Sequence, residues 1–288
     1  MNTIGVNDSS CIRCGRCVKV CPSQIFVQEK AGGGVTLHKP ENCILCGHCV
    51  AACPTGSVNH AEFPAERVHA VDYGAMPTPE QVELLLAVRR SNRALSARPV
   101  PQEMLDRIVA AADRAPTASN ARRLAYTLVT DAAQLRAVTE YTLGIFGRLE
   151  KRLLHPLVRP WLSRLAPGIY RYVPVFERLR REYAEGRDRV LRGATALLFI
   201  HAPKANRFGA EDGNLAYENA SLMAEALGVS QIYMGFVLTA VRQDKEAKLA
   251  AMLGLEGRRI CAVMALGMPQ FRYPNYICLL YTSPSPRD

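Results

Sequence analysis

Two stretches decide the reading of this chain: Cys11-Ile-Arg-Cys14-Gly-Arg-Cys17-Val-Lys-Val-Cys21-Pro22 and Cys43-Ile-Leu-Cys46-Gly-His-Cys49-Val-Ala-Ala-Cys53-Pro54. Each is C-x2-C-x2-C-x3-C-P, the spacing that holds a cubane 4Fe–4S cluster. Three thiolates separated by two residues each can wrap a tight loop around one cube. The fourth cysteine, held by the following proline at the start of a short helix, points away and serves the other cube. Ligation therefore crosses over: Cys11, Cys14, Cys17 and Cys53 hold one cluster, and Cys43, Cys46, Cys49 and Cys21 hold the second. Gly15 and Gly47 fit this arrangement, since a backbone without Cβ can approach a sulfide closely. Two clusters side by side carry electrons.

Other uses of these cysteines fit worse. A disulfide framework needs an oxidising compartment, and Met1–Ser10 has neither the basic start nor the apolar stretch of a secretory leader. Zinc sites pair C-x2-C units across longer gaps, without a third cysteine at the same step. The pattern is that of bacterial dicluster ferredoxins, and it occupies about the first 60 residues. So short a segment buries little apolar surface and leans on its clusters for stability.

The chain has 288 residues, which leaves about 200 for a second fold. No apolar run approaches the ~20 residues of a membrane span; the longest, Ala194–Ile200 and Ile260–Leu266, are strand-sized. A cytoplasmic protein is expected. The formal charge is +10, but each oxidised cube with four thiolates carries −2, which brings the loaded protein to about +6. No nucleic-acid-binding signature accompanies the basic residues, so nucleic acid is not expected as a partner. Cys278–Asp288, CLLYTSPSPRD, has no periodicity and resembles a translated sequencing adapter; a native chain continuing beyond Ile277 is expected. Cys261 sits in an apolar run and reads as a buried structural thiol.

The expected organisation is a ferredoxin domain over 1–60, a linker over 61–78 containing Pro64, Gly74 and Pro77, and a second domain over 79–277. Thr78-Pro79-Glu80-Gln81 starts a helix, with Thr as N-cap and Pro at the first position, running into Arg90-Ser91-Asn92-Arg93. Pro101–Ala115 and Asn214–Gly228 read as helices. Tyr126–Thr130, Ala194–His201 and Ile260–Leu266 read as strands. Without strict βαβ alternation this mixture is α+β. No G-x-G-x-x-G follows a strand; Gly32-Gly33-Gly34 is a turn between the two cysteine halves.

Four segments in order carry a resemblance: Arg89-Arg90-Ser91-Asn92-Arg93, Ala115-Pro116-Thr117-Ala118-Ser119-Asn120, Gly228-Val229-Ser230-Gln231-Ile232-Tyr233-Met234-Gly235-Phe236, and Leu266-Gly267-Met268-Pro269. Together, behind a ferredoxin unit, they resemble the FMN-dependent nitroreductase family. That resemblance implies an α+β sandwich working as an intertwined homodimer with FMN at the subunit interface. It implies FMN contacts from Arg89, Arg90, Ser91 and Arg93, which suit a phosphate dianion. It adds Asn120 at the isoalloxazine edge or ribityl chain, and Ile232 and Tyr233 beside the ring. Met234 and Gly235 are the catalytic positions, their backbone N–H groups facing flavin N5. By itself Arg89–Arg93 reads as a solvated helix end, where cations also favour the C-terminus; the other motifs turn the reading toward phosphate.

The chain departs from the family where Asn120 is followed by Ala121-Arg122-Arg123-Leu124, and at Ser230-Gln231-Ile232-Tyr233. Both changes touch the pocket, so the substrate cannot be borrowed from relatives. The insertion 144–183 carries nine Arg and Lys against three Glu, with Trp161, the only Trp. Its Leu, Val, Phe and Tyr positions allow one or two amphipathic helices broken at Pro156, Pro160, Pro167 and Pro174. It reads as a lid over the flavin, a docking face for an acidic partner, or a membrane-surface helix.

The expected function is an oxidoreductase that passes electrons from two 4Fe–4S clusters to FMN and on to a small organic acceptor of nitroaromatic, quinone or enone type. An external ferredoxin or reductase would supply the electrons; NAD(P)H stays open but is not indicated. Two rivals remain: an electron carrier or redox sensor without small-molecule turnover, and a divergent flavin enzyme such as a dehalogenase.

Overall fold

The computed structural model describes residues 4–277; the adapter-like segment Cys278–Asp288 lies outside the described residues. The chain forms two units. One comprises residues up to Pro77 together with Thr117–Arg122; the other takes Thr78–Pro116 and the chain from Arg123 onward.

The first unit is a twofold internal repeat. In chain order it runs β1 (Ile4–Val6), α1 (Arg16–Val20), β2 (Phe26–Val27), β3 (Thr36–Leu37), α2 (His48–Ala51) and β4 (Val58–His60). β1 pairs antiparallel with β4, and β2 with β3. Each short helix begins after a left-handed glycine, Gly15 at φ 70° and Gly47 at φ 72°. A side chain at either position would be strained by that backbone and would also make Gln28 or Phe63 shift. A Cβ on Gly15 would stand 2.7 Å from Gln28 Oε1, and one on Gly47 would stand 3.2 Å from the Phe63 ring. The core is small: Cys17, Ile25, Phe26, Val35, Cys49 and Val58.

The second unit is built on one antiparallel sheet covered on both faces. Its elements are α3 (Pro79–Val88), α4 (Gln102–Asp113), β5 (Ala125–Val129), α5 (Ala132–Leu153), α6 (Arg159–Leu165), α7 (Val173–Ala184), β6 (Ala196–Pro203), α8 (Gly209–Ala226), β7 (Ser230–Tyr233), α9 (Gly235–Gln243), α10 (Lys248–Met252) and β8 (Arg258–Gly267). The strand order is β5-β6-β8-β7. Successive side chains of a strand face opposite ways. Leu197, Phe199, Val263 and Ala265 therefore join one core with α5, α7 and α9 residues, while Leu198, Ile200, Met264 and Leu266 join the other with α4 and α8. Two buried faces explain why β6 and β8 are continuous apolar runs. Gly213 lets α8 lie on β8, since a Cβ there would stand 2.6 Å from Cys261 Cβ. Cys261 itself is buried, as the sequence suggests.

Some boundaries differ from the expectation. α3 begins as expected, with a full capping box between Thr78 and Gln81, but it stops at Val88 rather than running into Arg90–Arg93. The reason lies beyond it: Ser91 bridges to Gln231 of β7, and Asn92 Nδ2 donates to Ser230 Oγ at 2.9 Å. These contacts pull the chain into an extended path. Within 144–183, Pro160 and Pro174 lie in the first turns of α6 and α7, where a missing N–H costs nothing. Those prolines start helices rather than break them. Among the described residues no helix is long and apolar enough to cross a membrane.

The sheet also contains a buried base. His201 is fully packed, with Nε2 3.0 Å from Thr127 Oγ1 and Nδ1 accepting from Arg258 Nε. Burial first, and then the Arg258 charge, push its pKa down to about 4. An unfolded histidine titrates near ~6.5. Between that value and about 4 the unfolded chain binds a proton that the folded chain refuses, so stability falls as pH drops through this window. The thermal midpoint by circular dichroism should therefore decline between pH 6.5 and 4 more steeply in the native chain than in His201→Gln. Parallel curves would contradict this assignment.

Candidate functional site

The eight cysteines of the two runs sort into two cavities of the first unit. Cys11, Cys14, Cys17 and Cys53 line one, with Gly15, Val35 and Val58. Cys21, Cys43, Cys46 and Cys49 line the other, with Ile25, Phe26 and His60. The fold thus brings each fourth cysteine to the opposite run. Backbone amides point at several of these sulfurs. Ile25 N–H donates to Cys21 Sγ at 3.3 Å, Leu45 N–H to Cys43 Sγ at 3.4 Å and Ser57 N–H to Cys53 Sγ at 3.2 Å. Burial raises the Cys17 pKa and takes that of Cys49 up to about 11, with the neighbouring thiolates of the same cavity adding to the rise. At Cys53 burial also acts upward, but amide donors from Thr55, Val58 and Ser57 outweigh it and the net shift is down. Thiols forced together in this way suit a cationic cluster, which removes both the repulsion and the proton.

The main cavity of the second unit has a volume of about 610 Å³. Arg93, Ile232, Tyr233, Met234 and Gly235 line it, so five of the sequence-predicted residues meet there. The connection from β7 to α9 creates this meeting. Met234 N–H is committed to Val263 O at 2.9 Å. Gly235 opens α9, and the first amides of a helix have no acceptor within it. Gly235 itself lines the cavity, and a side chain there would meet open space, with nothing within 4 Å of a Cβ. Tyr233 is held by its hydroxyl, which donates to Asn214 Oδ1 at 3.1 Å, and by edge contact with Tyr217 at 4.8 Å.

The remaining predicted residues are placed elsewhere. Arg89 Nε is 3.5 Å from Glu218 Oε1, and Arg90 lies over the Tyr273 ring at 5.5 Å. Ser91 contributes its backbone bridge to Gln231, whose buried Nε2 has no partner. Asn120 belongs to the first unit. At φ 52° its side chain donates to Ile44 O and Leu45 O, at 2.9 and 2.8 Å, in the loop that carries Cys43 and Cys46.

Sequence reasoning missed Arg192. It lines the same cavity as Arg93, and its pKa is lowered by burial and then by the charge of Arg93. Among the described residues no acidic side chain lines this cavity, whereas Phe146, Tyr172, Phe176 and Phe236 do. The insertion supplies much of the wall through Leu149, Leu153, Ile169, Tyr172 and Phe176. Trp161, Leu157 and Leu165 instead remain exposed.

Residues 86–268 match the family model described as Nitroreductase family, and residues 10–57 match that of the 4Fe-4S dicluster domain. The chain belongs to the nitroreductase family, with a dicluster iron–sulfur domain ahead of the catalytic one, and is an oxidoreductase. Three solved structures share the fold. A nitroreductase with bound FMN from Bacteroides fragilis NCTC 9343 is 19% identical, with TM-score 0.52, covering 70% of this chain and 96% of that one. One with bound FMN from Desulfitobacterium hafniense DCB-2 is 18% identical, with TM-score 0.53, covering 70% and 95%. An FMN-dependent nitroreductase from Clostridium difficile R20291 is 16% identical, with TM-score 0.52, covering 72% and 100%. No curated protein matches the chain.

The sorting of cysteines has a direct consequence. Anaerobic reconstitution should load about eight irons per chain, as two cubes require. Cys21→Ala should damage the cluster of Cys43, Cys46 and Cys49 and spare that of Cys11, Cys14 and Cys17. Electron paramagnetic resonance of the variant checks it; loss confined to the Cys11 side would contradict the crossing.

Proposed function

We propose that this chain takes single electrons at two 4Fe–4S clusters, held in the crossed sets above, and delivers them through FMN to a small organic acceptor. The carrying observation is the 610 Å³ cavity that gathers Arg93, Arg192 and the Ile232–Gly235 segment within a nitroreductase fold. The FMN named for the structural neighbours fits it. The cavity offers aromatic and aliphatic walls for a flat ring system, two guanidinium groups for electron-rich atoms and a free helix-start amide. Bound FMN would join one-electron donors to two-electron chemistry.

The chain's own residues then have distinct tasks. Gly235 N–H, at the positive end of α9, would favour negative charge on a ring bound in the cavity. Arg93 and Arg192 hold anionic or electron-rich groups of cofactor and acceptor. Phe146, Phe176 and Tyr172 exclude water; Phe146 and Phe176 stack at 4.4 Å and fix that wall. An acceptor of nitroaromatic, quinone or enone class suits such a lining. Asn120 acts on the cluster loop rather than on flavin, through the Ile44 and Leu45 carbonyls.

A homodimer is part of this reading. On α3, Val82 and Leu86, one turn apart on the same side of the helix, are exposed, an apolar edge that a second copy would cover.

The purified protein should be yellow. Arg93→Ala should weaken FMN by about 10- to 100-fold, the loss of one charge-assisted contact of roughly 1.5–3 kcal/mol. Fluorescence titration of the apoprotein measures it. Protein reduced with dithionite and then desalted should be reoxidised by quinones or nitroaromatics at a rate that saturates with acceptor concentration. Unchanged FMN affinity in an Arg93→Ala, Arg192→Ala double variant, or exchange with redox proteins alone, would sink the proposal.

A further inference from the structure

The two halves of the first unit repeat at a thirty-two-residue interval, from Cys11 to Cys43. Left-handed positions recur in pairs: Arg13 (φ 59°) with Leu45 (55°), Gly15 (70°) with Gly47 (72°), and Gln24 (52°) with Gly56 (63°). The amide contacts to Cys21 and Cys53 recur likewise, from Ile25 and Ser57. His60 breaks this symmetry. Its counterpart is Gln28, whose Nε2 donates to Arg13 O at 3.0 Å and Gly33 O at 2.8 Å.

His60 is 5% exposed. Its Nδ1 accepts the Glu62 N–H at 3.1 Å. A neutral imidazole that accepts at one nitrogen carries its proton on the other. Nε2–H therefore donates to Cys43 Sγ, 3.5 Å away. Phe63 packs against the ring at 4.8 Å and holds its orientation. Cys11, the counterpart of Cys43, has no such partner among the hydrogen bonds of the described residues; the side-chain contact of its set is the Thr55 hydroxyl, 3.8 Å from Cys53 Sγ and shared with Ser57 Oγ at 2.7 Å, longer than the His60 contact.

An N–H aimed at a ligand sulfur stabilises added negative charge, and an electron on a cluster is such a charge. We infer that the His60 donor to Cys43 raises the reduction potential of the cluster served by Cys43, Cys46 and Cys49 above that of its twin, so that the first electron entering the pair settles there. This rests on the two-cluster reading but not on the crossing. It needs only that Cys43 shares a cluster with Cys46 and Cys49, and exchange of Cys21 with Cys53 would leave it intact.

The test is a redox titration of the fully loaded protein by electron paramagnetic resonance, with iron content measured alongside. His60→Leu should lower the higher of the two cluster potentials and narrow the gap, leaving the lower one in place. His60→Gln, which can still present an amide N–H, should restore most of the gap. A His60→Leu protein with normal iron and unchanged potentials would overturn the inference, as would equal shifts of both clusters. The native protein provides an arm that needs no variant. With histidine labelled by nitrogen-15, the first cluster signal to appear on stepwise reduction with dithionite should carry a weak histidine nitrogen coupling. Absence of that coupling, or its appearance only with the second cluster, overturns the inference.

Discussion

Sulfurs that repel one another as thiolates must be brought into two tight sets, and the first unit is organised around that requirement. Its apolar core has six buried members, and two of them are Cys17 and Cys49 themselves. A core of that size cannot offset the ordering of about 60 residues unaided. Burial raises the pKa of both thiols, so without metal they are protonated and contribute only packing. Iron held in the crossed sets proposed above would convert them to bound thiolates and link the halves, and would couple folding to cluster loading. The paired left-handed positions and the amides aimed at Cys21, Cys43 and Cys53 follow from the same demand.

The second unit meets a different constraint. A sheet buried on both faces needs helices close on each side, and small residues supply the room: Gly209 and Gly213 of α8 face Ala202 and Cys261 at distances a Cβ could not share. β7 forms one edge of this sheet, and α9 starts directly after it. The strand is fixed by Asn92 to Ser230 and by Tyr217, whose hydroxyl donates to Gln231 Oε1. Ser230 and Gln231, where this chain departs from the family pattern, are thus structural anchors of the strand that delivers Tyr233, Met234 and Gly235 to the cavity.

Much of this was legible in the sequence, for identifiable reasons. Cluster ligation dictates cysteine spacing directly, so the two runs carry their chemistry in one dimension. β6 and β8 announce themselves as apolar runs. β7 does not, because Ser230 and Gln231 are polar yet buried by specific partners. The start of α8 at Gly209 is hidden because glycines that serve helix–sheet contact look like helix breakers. Arg192 is a single cation with a left-handed backbone at φ 58°, and only the fold brings it to Arg93. Asn120 matches a flavin motif by position, but its side chain binds two carbonyls of the cluster loop, a contact between residues some 75 positions apart.

The central claim is that clusters and FMN form one internal path in a single chain. Stopped-flow absorbance of the loaded protein, with cluster and flavin bands followed together after mixing with a limiting one-electron donor, tests it most directly. The account predicts that cluster reoxidation and flavin reduction share one first-order rate that does not change with protein concentration. Flavin reduction that ignores the cluster bands, or a rate rising in proportion to protein concentration, would contradict it.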